Sequence, residues 1–230
     1  MTTDRAPLLS SALTRVFLLI ALLTAGMIGL GFLVTHVLVH VWPLTLEDQA
    51  VRALVADRTP TLDRVSNLVS LIAYTGGLAI VMVVVGGAMR IAYHRWREAF
   101  FLAAAMLGQF EMFSIMSRVV HRARPPVPKL DVFPSMESFP SGHTAAAVAL
   151  YGGIAVVLAI RSRRKAYAAT WWVILLIIPI AVAISRVYRG MHYPSDVVAS
   201  FMGALGCLWI LQRAMLTRAY QSERSGVHEP

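Results

Sequence analysis

Two short segments concentrate the reactive side chains of this 230-residue chain. The first runs from Arg118 through His121, Arg122 and Arg124-Pro125-Pro126 to Ser138-Phe139-Pro140-Ser141-Gly142-His143. The second reads Ser185-Arg186, then Arg189, His192, Pro194 and Asp196. Arginine is permanently charged, planar and rich in N–H donors, which suits it to phosphate oxygens. Arg124 and Arg186 beside two histidines therefore make an anion site. Ser141 reads as the N-cap of a helix that opens at Gly142. The free N–H groups and dipole of such a helix start favour phosphate, and Gly142 allows the backbone to come close. His143 stands at the mouth of that helix as an acid or a base. His192 and Asp196 are an i, i+4 pair and face each other within a first helical turn. A carboxylate that holds one imidazole nitrogen fixes the tautomer and leaves the other nitrogen as a nucleophile. A metal held by His143, His192 and Asp196 is disfavoured, because clustered arginines repel a cation. No metal and no other cofactor is expected.

The composition identifies what must position these segments. Hydrophobic residues make up 57% and charged residues 14% of the chain, against about 25% charged in a soluble domain. The mean hydropathy is +0.65. Apolar runs lie at 16–39, 67–89, 99–117, 144–160, 166–184 and 197–211. Runs of this kind span a bilayer as helices, the shortest with help from their flanks. The reading is an all-α bundle of six transmembrane helices in a single domain over 1–220, followed by a polar tail at 221–230. The first run is too long for a signal-peptide core and is expected to stay as a span. Cys207 is the only cysteine, so no intrachain disulfide forms.

The net charge of +9 reads as loop topology and not as nucleic-acid binding. Arg5, Arg15, Arg90, Arg95, Arg97, Arg161, Arg163, Arg164, Lys165, Arg213, Arg218 and Arg224 fall on one side. That side is cytoplasmic by the positive-inside rule, and both termini lie there. Loops 40–66, 118–143 and 185–196 face outward. The last two are basic against the rule, so local function has overridden topology preference.

Other features have structural readings. Residues 46–56 put Leu46, Ala50, Val51, Leu54 and Val55 on one face, a short helix on the outer membrane surface capped by Thr45. Glu111, with Gln109 two positions before it, is an ionisable residue inside a span and is expected to be structural, with a buried polar partner or a protonated carboxyl; a role in lipid access or proton movement is the alternative. His36 and His40 read as interfacial, and Trp42, Trp171 and Trp172 as interface anchors. Asp131 and Glu137 either order the first segment or select among headgroups. Ala104/Gly108, Ala149/Gly153 and Ala199/Gly203 have the spacing that lets helices approach closely in lipid.

The combined spacing resembles the type 2 phosphatidic acid phosphatase superfamily. Ser185-Arg186, His192 and Asp196 match its third signature, Pro140-Ser141-Gly142-His143 its second, and Arg124-Pro125 the end of its first, Lys-x6-Arg-Pro. The resemblance covers about residues 60–212, and the six-span layout also resembles the bacterial membrane members. One departure stands out: the position of the family lysine is Ser117. Arg118 is the candidate replacement, although one residue turns a helical side chain by about 100°. Arg122, one turn beyond Arg118, is a further candidate phosphate ligand or a solvated loop residue.

The resemblance implies a metal-independent, two-step hydrolase. His192 would attack phosphorus, Asp196 would orient it, and His143 would protonate the leaving oxygen and then activate water. Arg124, Arg186 and Arg118 would hold the phosphoryl oxygens, with Ser141 and the Gly142 N–H as further donors. The implied substrate is a membrane lipid phosphate processed at the extracytoplasmic face of the cell membrane. Undecaprenyl diphosphate is the first expectation; phosphatidylglycerol phosphate and phosphatidic acid are the alternatives. Rival readings are a lipid-to-lipid phosphotransferase and a lipid-phosphate binding or transport protein without chemistry.

Overall fold

A computed structural model describes residues 5–132, 137–162 and 164–217. Helix α1 spans Arg5–His36. Two tight turns lead to α2 (Glu47–Ala56), followed by α3 (Pro60–Ile72) and α4 (Thr75–Tyr93). Next comes α5 (Arg97–Val119). A long loop joins it to α6 (Gly142–Ala147), which runs through a wide π turn at Val148–Gly152 into α7 (Gly153–Arg161). The chain ends with α8 (Lys165–Tyr188) and α9 (Pro194–Gln212), the latter extended by a second π turn to Thr217. The described residues form no strand; a lone antiparallel bridge pairs Ala123 with Glu137.

Among the described residues, six helices are long and apolar enough to cross a membrane. Outward-facing Phe17, Leu22, Ile80, Leu107, Ile177 and Trp209 are all exposed. That surface suits hydrocarbon and not water. The α6–α7 rod forms the axis of the bundle: most of it is buried, whereas most of the first span is not. It packs against α5, α8 and α9. Small residues make this possible. A Cβ placed on Gly153 would lie 2.9 Å from Leu102 Cδ2, and one on Gly152 would lie 3.0 Å from Leu208 Cδ1.

The structure corrects the second span. Residues 67–89 are not one helix: α3 ends at Ile72, Tyr74 is extended (φ −71°, ψ 139°), and the spanning segment begins at Gly76. The cause lies outside the run. Ser66 and Ser70 turn towards the end of α8, where Ser185 donates to the Ser66 carbonyl at 2.8 Å and Arg186 donates to Ser70 Oγ at 2.7 Å. Those bonds hold α3 over the end of α8, and the chain must turn before it descends. Thr59 caps α3, accepting from the Leu62 N–H at 3.3 Å, and Pro60 starts it.

The short helix at 46–56 is present as α2, but Thr45 does not cap it; Leu46 holds the cap position with no side-chain bond. Val51 packs with Ala183, Val187 and Val197. Leu46 and Leu54 remain exposed. The helix is thus seated on the ends of α8 and α9. Arg163, Arg218, Arg224 and the tail at 221–230 lie outside the described residues.

Candidate active site

The pocket at the N-terminus of α6 gathers Ser117 from α5, Arg124 and Glu137 from the long loop, His143 from α6, Arg186 from α8 and His192 from the α8–α9 turn. Gly142 belongs to the same wall, and a Cβ there would meet Phe113 Cε2 at 2.9 Å. Any side chain at 142 would therefore push the helix start away from the aromatic floor. Gly190, at the end of α8, lets the loop pack closely against it. Its φ of +73° is a left-handed conformation, and a Cβ would lie 2.8 Å from Val127 Cγ2.

The buried His192 ring is held by the main chain. Its Nδ1 is 2.6 Å from the Ser138 carbonyl. A carbonyl only accepts, so Nδ1 carries the proton and Nε2 keeps the lone pair of the neutral ring. Burial, followed by the charges of Arg186 and Arg124, pushes the His192 pKa well below the ordinary histidine value, and the Ser138 bond opposes this only in part. The ring is neutral at neutral pH, as a nucleophile requires.

The carboxylate–imidazole bond expected from the i, i+4 spacing is not made. Asp196 Oδ2 lies 3.8 Å from His192 Nδ1, beyond hydrogen-bond range. The carboxylate accepts instead from Ser138 Oγ, from the Tyr193 N–H at 2.9 Å and from Arg122 Nη1 at 2.5 Å. It therefore acts on His192 at one remove, by fixing the residue whose carbonyl holds the ring. The Ser138 N–H completes the clamp by donating to the Arg122 carbonyl at 2.7 Å.

Arg122 is not in the pocket. Its guanidinium is buried against the base of α9, bonded to Ser195 Oγ at 2.7 Å and Glu47 Oε2 at 2.9 Å as well as to Asp196. It also stacks on Tyr193, with Cζ 4.4 Å from the ring centroid. Glu47 continues the network by accepting from the Ser195 N–H at 2.6 Å. Arg122 thus links α2, the loop and α9, a structural post where a phosphate ligand or a solvated residue was expected.

Arg118 is exposed on the last turn of α5, while Ser117 lines the pocket. The turn of one residue decides this: Arg118, the expected replacement for the family lysine, is not among the residues that line the pocket. Ser141 is fully buried. Its N–H donates to Ser200 Oγ at 2.9 Å and its hydroxyl lies 3.0 Å from Thr144 Oγ1, and Ser141 is not among the residues that line the pocket.

Arg186 and Arg124 do line it. Arg186 Nη1 donates to Asp131 Oδ2 at 2.6 Å as well as to Ser70, and its Nε is buried without a partner. A phosphoryl oxygen in the pocket would satisfy that donor. Arg124 is anchored through Nη1 to the Met191 carbonyl at 2.8 Å. Asp131 orders the loop: it bridges Arg186 and Arg189, accepting from Arg189 Nε at 2.9 Å. Burial opposes its ionisation, but the hydrogen bond from Arg189 and the neighbouring arginine charges prevail and hold its pKa below the usual carboxylate range. Glu137 pairs with His121 at 3.2 Å.

Ser138, Glu47, Arg189, Ser66 and Ser70 had no assigned role in the sequence reading. Serines are common, and the bonds they make here span long sequence separations, so no local signal marks them. Glu47 and Arg189 carried a trace: an acid opening a short amphipathic helix and a base within the second reactive segment.

Two histidines and two arginines around one pocket, in a bundle of membrane helices, make a cationic pocket whose chemistry suits a phosphate group. The PAP2 superfamily model matches residues 98–220, over half of the chain. The chain belongs to that superfamily. It is 29% identical to phosphatidylglycerophosphatase B of Bacillus subtilis strain 168, covering 78% of this chain and 87% of that protein. Its fold is similar to the crystal structure of a transmembrane PAP2-type phosphatidylglycerolphosphate phosphatase from Bacillus subtilis. There the TM-score is 0.66 at 23% identity, over 94% of this chain and 97% of the other. It is also similar to Aquifex aeolicus LpxE, with a TM-score of 0.57 at 23% identity, over 75% of this chain and 98% of that one. The chain is a multi-pass membrane protein of a phosphatase family.

Proposed function

We propose that this protein dephosphorylates a membrane lipid through a phosphohistidine at His192. The arrangement of His192 carries the proposal: Nδ1 is tied to the Ser138 carbonyl at 2.6 Å, and the neutral ring lines a pocket shared with Arg124, Arg186 and His143. Nε2 attacks phosphorus and the P–O bond to the lipid breaks. His143 gives its proton to the leaving oxygen. His143 then takes a proton from water, the resulting hydroxide attacks phosphorus, the P–N bond breaks, and inorganic phosphate leaves. Arg124 and Arg186 meet the charge on the phosphoryl oxygens throughout. Guanidinium groups supply this charge, so no metal is required. The basic loops on the opposite side support a pocket at the extracytoplasmic face.

For the substrate, the name of the Bacillus subtilis relative supports a glycerophospholipid phosphate such as phosphatidylglycerol phosphate. Undecaprenyl diphosphate is the second reading, because the groove beside His143, walled by Leu78, Met106 and Phe110, has the hydrocarbon character that a prenyl chain needs as much as an acyl chain. The test is phosphate release by the purified protein in detergent with EDTA, offering phosphatidylglycerol phosphate, phosphatidic acid and undecaprenyl diphosphate in parallel. Release from one of these lipids, abolished by His192→Ala, is the expected result. Release that survives His192→Ala refutes the mechanism, and release that requires a divalent ion refutes its metal-free form.

A further inference from the structure

A second cavity adjoins the pocket. It lies between the α3–α4 junction, α5 and α6, and shares His143, Gly142 and Phe113 with the catalytic pocket. Its walls are mostly apolar, with Leu78, Met106 and Phe110 among them. One residue breaks the pattern. Gln109 lines the cavity and is 2% exposed, and both its Oε1 and its Nε2 lack a hydrogen-bond partner. Buried amides are almost always paired, because leaving one unpaired in an apolar setting is costly. Glu111, two residues on, is exposed on the opposite side of α5. Of these two residues the buried one is therefore Gln109, not Glu111.

We propose that Gln109 reads the ester linkage of a glycerophospholipid substrate, with its amide N–H donating to an acyl carbonyl in this cavity. The proposal rests on the lipid phosphatase reading and sharpens its substrate class. Depth supports it. Gln109 lies one turn, about 6 Å along α5, below Phe113, and Ser117 of the headgroup pocket lies a turn above Phe113. Gln109 is thus about 12 Å along α5 from Ser117, and a lipid whose phosphate sits between Arg124 and Arg186 passes it within that length. In a glycerophospholipid that stretch carries ester carbonyls. In a polyprenyl phosphate it carries only hydrocarbon, which leaves the amide unpaired and is disfavoured.

The test compares diacylglycerol phosphate with its dialkyl ether analogue of equal chain length, which lacks the carbonyls. For the wild type, kcat/KM should favour the ester by about tenfold, the effect of one hydrogen bond in a site built for it. Gln109→Leu and Gln109→Met should bring the ester-to-ether ratio close to one. A wild-type ratio near one, or a ratio unchanged in both variants, overturns the proposal. Displacement of a fluorescent diacylglycerol phosphate from His192→Ala by the two lipids measures the same ratio as binding. Absence of turnover would thus count against the phosphatase reading alone, while the binding ratio still decides the role of Gln109.

Discussion

Replacing Arg122 with alanine distinguishes a structural post from a phosphate ligand. The side chain is buried and bonded to Asp196 at 2.5 Å, Ser195 at 2.7 Å and Glu47 at 2.9 Å. Asp196 is fully buried and Glu47 nearly so. Removing the cation strands two carboxylates away from water. Breaking a buried ion pair by deleting one partner typically costs about 3–5 kcal/mol. For a chain of this length each 1 kcal/mol lowers Tm by about 2–4 °C, so the expected drop is roughly 6–20 °C. The loss of the cation also slackens Asp196 and, through Ser138, the clamp on His192, so kcat should fall with it. Thermal unfolding in detergent and steady-state kinetics measure the two effects. Glu47→Gln combined with Arg122→Met removes one stranded charge and should recover part of the Tm loss. An unchanged Tm with a raised KM alone would show that Arg122 holds substrate, and the network described above would be misassigned.

The register at the end of α5 makes a second prediction. Arg118→Ala should change kcat/KM by less than about twofold, as exposed substitutions usually do, while Ser117→Leu, which places a bulky apolar group in the phosphate pocket, should lower it at least tenfold. Phosphate-release kinetics of the two variants check this, and the reverse ranking refutes the assignment. A third prediction concerns pH. The His192 pKa is depressed, so its lone pair persists as pH falls past about 6.5 and is lost only below that value. The acid limb of kcat/KM should therefore lie below pH 6.5 in a pH–rate profile; a limb at or above it contradicts the neutral, buried ring.

Much of the architecture was legible in the sequence because membrane spans are local. A run of apolar residues declares its preference for lipid wherever it sits, and five of the runs lie within spanning helices near their expected limits. The run at 67–89 failed because hydropathy does not see that Ser66 and Ser70 are drawn onto α8, which turns the chain at Tyr74. The reactive residues were legible for a related reason: Arg124, His143, Arg186 and His192 are chemically distinctive types at short, motif-like spacings, and the fold places all of them on one pocket.

What each residue bonds to was not legible. The i, i+4 spacing puts Asp196 near His192, but the atom that holds the ring is a carbonyl contributed 54 positions away. Arg122 looks in sequence like one more phosphate cation and becomes a post because Glu47, from 75 positions away, reaches the base of α9. Gln109 and Glu111 are both polar within one span, and two residues along a helix place them about 200° apart, so only the packing of α4 and α6 decides which is buried. Residue type and hydropathy, which act at short range, determined the membrane bundle and the phosphate chemistry. Tertiary structure alone decided the partners of each buried polar group, because those bonds join segments that chain proximity never brings together.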